Sequence, residues 1–172
     1  MVGRIVELFK VLELLAPLLK YFRRYKYNLF ISYPMKPLGL EESKKLYEVV
    51  LVSKNAIQNY RPDFKIFASV DNLIDEKEGE KTIPQTDSFE ALRKSKKYLL
   101  IYPKVMASSV LIELGYALCM DKQIIILAKK FEDLPYLLQT RINRFKCKNI
   151  TIQYFNDESL QRELQNAIKN CM

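Results

Sequence analysis

The sequence predicts an α/β fold, a five-stranded parallel sheet in the order 2-1-3-4-5 with helices on both faces, preceded by an N-terminal amphipathic helix. Three observations predict it. From residue 27 onward, short β-branched and aromatic runs alternate with longer segments of helical period. Three of those runs, FIS, YLLIY and QIIIL, are continuously apolar, as strands must be when helices cover both faces of a sheet. Strand and helix in alternation require parallel pairing through right-handed crossovers, and five such strands give the flavodoxin-like order.

The elements follow in order. Residues 2 to 25 carry apolar side chains at Ile5, Leu8, Phe9, Leu12, Leu15, Leu19 and Phe22, the stripe of an amphipathic helix. Glu7, Lys10, Glu13 and Lys20 interrupt it and Pro17 kinks it, so it falls short of a membrane span, and no small-residue cleavage site follows it. Packing on its own domain or a sister subunit is favoured over contact with a membrane surface. Residues 1 to 26 are therefore assigned to this helix and 27 to 172 to the α/β domain. YNLFISY (27 to 33) reads as a strand, 40 to 60 as a helix and FKIFASV (64 to 70) as a strand. The charged stretch 71 to 85 has no sustained period and reads as a long loop. A helix is expected over 86 to 97, a strand over 98 to 103, a helix over 108 to 121 and a strand over 123 to 128. The chain closes with a helix over 134 to 145, a strand over 149 to 155 and a helix over 157 to 170 capped by Asp157.

A length of 172 residues suits one domain, burying roughly 70% of the surface exposed by the unfolded chain. Cys119, Cys147 and Cys171 are odd in number and unpaired in spacing, which points to a reducing, cytoplasmic setting rather than a disulfide or zinc framework. Histidine is absent, which excludes imidazole bases and Ser-His or Cys-His nucleophile pairs. The net charge is +8, half of it within residues 1 to 28, and the remaining basic residues are scattered, so no nucleic-acid partner is expected. With four glycines there is no GxGxxG and no Walker loop; HExxH, EF-hand and CxxC patterns are missing too. No cofactor or metal is implied.

What remains is a set of polar residues delivered to the carboxyl ends of the strands. In the predicted order the switch point falls between strands 1 and 3, so Ser32, Tyr33 and Pro34 should face the same crevice as Pro103 to Ser109. Ser69 and Asp71 follow strand 2. Glu113 lies in the first or second turn of the helix that begins there, with Ser109 at i−4 and Tyr116 at i+3 on its face. A fixed carboxylate can stabilise, or attack, the positively charged sugar carbon that forms when a glycosidic bond breaks, and no histidine is needed. The helix dipole favours an ionised acid at that position, for function or for stability alone. Ser108 and Ser109 suit an N-cap, and Asp87 suits the cap of the preceding helix.

The segments FISYP, TDSFEALRKSKKYLLIYP and SSVLIELGYALCMDKQIIIL resemble the nucleoside 2-deoxyribosyltransferase-like and TIR domains, over about residues 27 to 130. The best-matched motif is Ser109, Glu113, Gly115, Tyr116 and Ala117, then Lys122, Ile124 and Ile125. The resemblance implies that Glu113 is catalytic, that Ser32, Tyr33 and Pro34 line the pocket with Ser109 and Tyr116, and that Asp87 helps position the acid or the base. The transferases place Asp-x-Gly-Thr before the glutamate, where this chain has Ala107-Ser108-Ser109-Val110, and the Trp-Cys pair of many animal TIR domains is missing. A bacterial-type TIR-like enzyme accommodates both departures. It implies an NAD glycohydrolase or NAD-cyclising activity, with NAD as substrate, self-association through residues 71 to 85 or the leader helix, and a setting in antiviral defence. Two other readings stay open: a nucleoside N-glycosidase or 2-deoxyribosyltransferase using the same Glu113, and a non-catalytic TIR-like interaction scaffold.

Overall fold

The computed structural model describes residues 25–34, 38–68, 87–106, 108–145 and 148–172. Most of the predicted N-terminal helix, the charged stretch 71 to 85, and Ser69 and Asp71 lie outside the described residues. The chain runs β1 (Tyr27–Ser32), α1 (Leu40–Tyr60), β2 (Ile66–Ala68), α2 (Ser88–Arg93), β3 (Ser95–Tyr102), α3 (Ser109–Cys119) and β4 (Gln123–Ala128). It ends with a 3-10 turn (Phe131–Asp133), α4 (Tyr136–Phe145), β5 (Ile150–Tyr154) and α5 (Leu160–Lys169). The five strands form one parallel sheet in the order β2-β1-β3-β4-β5, with Ile31 opposite both Ala68 and Leu99, Leu100 opposite Ile126, and Ile126 opposite Ile152. This is the flavodoxin-like arrangement expected from the alternation.

Strand periodicity divides the core into two layers. Leu29, Ile31, Leu99, Ile101, Ile125 and Leu127 face α1 and α5. On α1 the buried positions Leu46, Val50 and Ile57 recur at helical spacing, and on α5 Leu160, Leu164, Ala167 and Ile168 do the same. Phe30, Tyr98, Leu100, Tyr102, Ile124 and Ile126 face the opposite way, against Ala91 and Leu92 of α2, Val110, Leu114 and Ala117 of α3, and Leu138 of α4. No helix among the described residues is long and apolar enough to cross a membrane.

The two largest departures from the expected boundaries are at the start of β3 and the start of α5. The helix expected over 86 to 97 stops at Arg93, and β3 begins at Ser95. Lys94, Lys96 and Lys97 continue a helical charge pattern, but the backbone there is taken by the sheet, where Ser95 pairs with Tyr27 and Lys97 with both Leu29 and Gln123. Ser95 Oγ donates to the Ala91 carbonyl at 2.7 Å, occupying an end of the short helix. The last helix begins at Leu160, not at 157, and Asp157 is not its cap. Asn156 and Ser159 bond reciprocally instead: Ser159 N donates to Asn156 Oδ1 at 2.7 Å and Asn156 N donates to Ser159 Oγ at 2.9 Å. Asp157 pairs with Lys129 at 2.6 Å, which holds its carboxyl below the usual Asp range.

Candidate active site

The sheet order places the carboxyl ends of β1 and β3 side by side with their connecting helices on opposite faces, the position where such sheets leave a crevice. Ser32 is the last residue of β1 and α3 begins seven residues after β3 ends. On α3, Glu113 belongs to the inward stripe Val110, Glu113, Leu114 and Ala117, and only 8% of its surface is exposed. Ser32 is fully buried beneath it, and its Oγ donates to Glu113 Oε2 at 2.5 Å. Strand 1 and helix 3, 81 residues apart in sequence, thus meet through one hydroxyl and one carboxylate.

Burial raises the Glu113 carboxyl above the ordinary Glu range, while the Ser32 hydrogen bond acts in the opposite direction. Desolvation is the larger effect, so the expectation that the helix dipole sets the state of this acid is corrected. Glu113 sits in the second turn, past the reach of the strongest terminal field, and inside an apolar layer. The acid is positioned but not comfortable.

A third polar group completes the cluster. Tyr98 of β3 is wholly buried on the same side of the sheet, stacked on Phe30 at 5.9 Å between ring centroids. Its hydroxyl donates to the Val110 carbonyl at 3.3 Å and feels the charge of Glu113, and burial pushes its ionisation well above the ordinary Tyr range. Sequence reading passed over Tyr98 because it opens an apolar run and looks like a core aromatic. The parity of the strands carried the signal: Phe30 pairs with Tyr98, so Ser32 and Tyr98 must share a face.

The other expected site residues are distributed differently. Strand alternation turns Tyr33 away from Ser32, and its ring packs in the layer facing α1 and α5, so Tyr33 does not share Glu113's side of the sheet. Pro34 is buried directly after it. Ser109 is exposed in the first turn of α3, and Ser108 takes the cap position without a side-chain bond. Tyr116 is 36% exposed and meets Phe89 edge to face at 5.5 Å, a contact between α2 and α3. Asp87 caps α2, accepting from Phe89 N at 3.0 Å; its carboxylate is engaged by the helix end and is exposed. Lys122, part of the motif, is buried at the opposite, amino edge of the sheet, where its ammonium donates to the Ser95 and Arg93 carbonyls. It is a structural strut.

No family model and no curated protein matches this chain. The site is therefore read from its own chemistry. Among the described residues, no group of Cys, Asp and Glu is placed to hold a metal ion. Two recesses stand apart from the cluster. An apolar groove of about 640 Å³ runs between α3 and α4, lined by Leu111, Leu114, Leu118, Leu137 and Leu138, with no carboxylate in it. A smaller recess of about 330 Å³ opens beyond β3 and β4 on the α1 side. Its Lys45, Lys104 and Lys129 are balanced by Glu42, Asp133 and Asp157, so charge alone does not make this recess a phosphate site. The larger groove is the shape usually associated with ligands; the buried, hydrogen-bonded carboxylate lies apart from it, at Glu113 with Ser32.

Proposed function

We propose that the protein is an NAD glycohydrolase in which Glu113 acts on the nicotinamide ribose. The observation that carries this reading is the buried carboxylate beside the carboxyl end of β1, oriented by Ser32. Loss of nicotinamide from NAD leaves positive charge at the ribose anomeric carbon. A carboxylate held in a low-dielectric layer stabilises that charge more strongly than one in water. The C–N electron pair leaves with nicotinamide, water attacks the anomeric carbon, and one proton is released with ADP-ribose. Attack by a nitrogen of the same molecule's adenine instead gives a cyclic product. The segment Ala107-Ser108-Ser109-Val110, without the Asp-x-Gly-Thr of the transferases it otherwise resembles, favours NAD over a deoxynucleoside.

Nicotinamide release from NAD by the purified protein, measured by chromatography over a range of protein concentrations, tests the assignment. Base release from deoxynucleosides without nicotinamide release would transfer the assignment to the nucleoside enzymes, and no turnover at any concentration would leave an interaction scaffold. By the same resemblance, the protein acts in antiviral defence and its assembly gates the activity; equal specific activity at all concentrations would discount the gating.

The pH dependence carries a further expected result. The working form of Glu113 is ionised, so activity rises with pH as its raised carboxyl loses its proton. Ser32 favours the ionised form, and Ser32→Ala removes that help. The acid limb of the pH–rate profile should therefore move to higher pH, with activity recovering on the alkaline side. An unshifted limb would show that Ser32 does not tune the acid.

A further inference from the structure

We infer that the apolar groove between α3 and α4 is the seat of the chain's own leader, with Ile5, Leu8, Phe9, Leu12 and Leu15 laid along it as one face of an amphipathic helix. The inference concerns the outward side of α3, away from Glu113, and stands whether or not the protein cleaves NAD.

The groove suits a helix better than a small molecule. Leu111 and Leu118 line it from α3, and Leu137 and Leu138 from α4. Leu137 is 79% exposed, a large apolar side chain facing solvent. Between Leu111 and Leu118 lies Gly115, where an added Cβ meets nothing within 4 Å, so the space along α3 is open. Small-molecule sites carry a few convergent polar groups that fix orientation; here the polar side chains are Thr140 and Arg141, both from α4. An amphipathic helix needs only an apolar trough, filled by anchors at i, i+3, i+4 and i+7. Ile5, Leu8, Phe9 and Leu12 have that spacing.

The point where the chain leaves the domain selects which helix. Tyr25, the first described residue, is held at the C-terminal end of α3: Lys122 Nζ sits 5.5 Å from its ring centroid, and Lys122 N donates to the Ala117 carbonyl at 3.2 Å. Leu118, in the last turn of that helix, lines the groove, so the leader departs beside one mouth of it. A helix from Ile5 to Leu15 rises about 15 Å, and α3, with its 11 residues, is about 16 Å long. Residues 16 to 24 remain as a connector with Pro17 to break the helix, and such a length spans up to about 30 Å, enough to reach the groove from Tyr25. So short a tether gives the leader an effective concentration on the order of millimolar, far above that of a second copy's leader in dilute solution.

The test uses the full chain with its three cysteines changed to alanine and a nitroxide spin label attached at Lys10→Cys, on the polar side of the stripe. Methyl NMR then reads which leucines and isoleucines the label broadens. Leu111, Leu118 and Leu137 should lose intensity, while Ile31 and Leu164, on the far side of the sheet, keep theirs. Leu137→Asp places a charge in the groove at an exposed position, and Gly115→Phe fills the open space with a ring; each should abolish the loss at Leu111 and Leu118. If either variant fails to fold, Leu8→Asp on the leader itself should have the same effect. The inference is overturned if the groove methyls keep their intensity in the labelled chain, or if these substitutions leave the loss unchanged. Mixing spin-labelled chain with isotope-labelled, spin-free chain separates the copies: a loss in the mixture as large as within one chain assigns the groove to a second copy's leader and overturns docking in cis. A third arm adds vesicles of phosphatidylcholine and phosphatidylglycerol. A label that leaves the groove unbroadened and is immobilised only by vesicles marks the leader as a membrane element, and the inference fails.

Discussion

Glu113→Gln is expected to reduce nicotinamide release by at least about 100-fold while making the protein more stable. The first effect follows from the charge: an amide keeps the shape and can still accept from Ser32, but it cannot stabilise a developing cation as a carboxylate does. The second follows from burial. Because desolvation raises the folded-state carboxyl, the native protein holds its proton more tightly than the unfolded chain does. Stability therefore falls as pH rises from the usual Glu range through the raised native value, and the full penalty is present above it. Glutamine carries no such penalty. Changes of this kind raise stability by about 0.5–2 kcal/mol, and each kcal/mol moves the melting temperature of a domain this size by about 2–4 °C. The gain should be largest at neutral pH and shrink as pH is lowered through the carboxylate range. Melting curves at two pH values, set beside nicotinamide assays, check both halves. A variant that still cleaves NAD ends the catalytic assignment. One that melts lower at neutral pH shows that Glu113 is a net structural contributor.

That pairing of lost activity with gained stability bears on how much of the molecule was readable from sequence. Element order and sheet topology were legible because they rest on strong local signals, such as the continuous apolar run of β4, whose bounds, like those of α1, agree with expectation. The start of β3 was not, because Lys96 and Lys97 look helical and the sheet's hydrogen bonds outweigh that preference. At the site, Glu113 stood out as an acid in an apolar segment, and Ser32 as a polar strand end. Their contact could be expected only at the level of a shared crevice, since the bond joins residues 81 apart in sequence. Tyr33 was read with Ser32 because the two are adjacent, yet adjacency in a strand means opposite faces. Tyr98 and Lys122 needed the tertiary frame: one is a core aromatic until its hydroxyl is placed, the other a surface lysine until its burial is seen.

Lys122→Met should do the reverse of Glu113→Gln, lowering stability while leaving the chemistry alone. Lys122 is only 4% exposed and its stem packs at the amino edge, between the end of α3 and the start of β4. Its ammonium donates to the Ser95 carbonyl, and to the Arg93 carbonyl at 3.5 Å, and sits 5.5 Å from the Tyr25 ring centroid. It thereby ties the start of β3 and the entry of the chain into β1 to the α3–β4 corner. Methionine matches the stem but has no donor, and it leaves buried carbonyl groups without a charged partner. Hydrogen bonds from charged groups contribute about 1.5–3 kcal/mol, so a loss of about 2 kcal/mol is expected, or about 4–8 °C in melting temperature at the domain's size. Because this edge is opposite the β1–β3 crevice, nicotinamide release measured well below the melting point should stay within about twofold of the unaltered protein, less than the 1.36 kcal/mol that a tenfold change requires. An unchanged melting temperature would show that the carbonyl contacts contribute nothing net, and a large loss of activity in a folded variant would place Lys122 in the chemistry. The stability cost thus separates along the strand axis: the amino edge holds a charge that stabilises the fold, and the carboxyl edge holds one that the fold must tolerate.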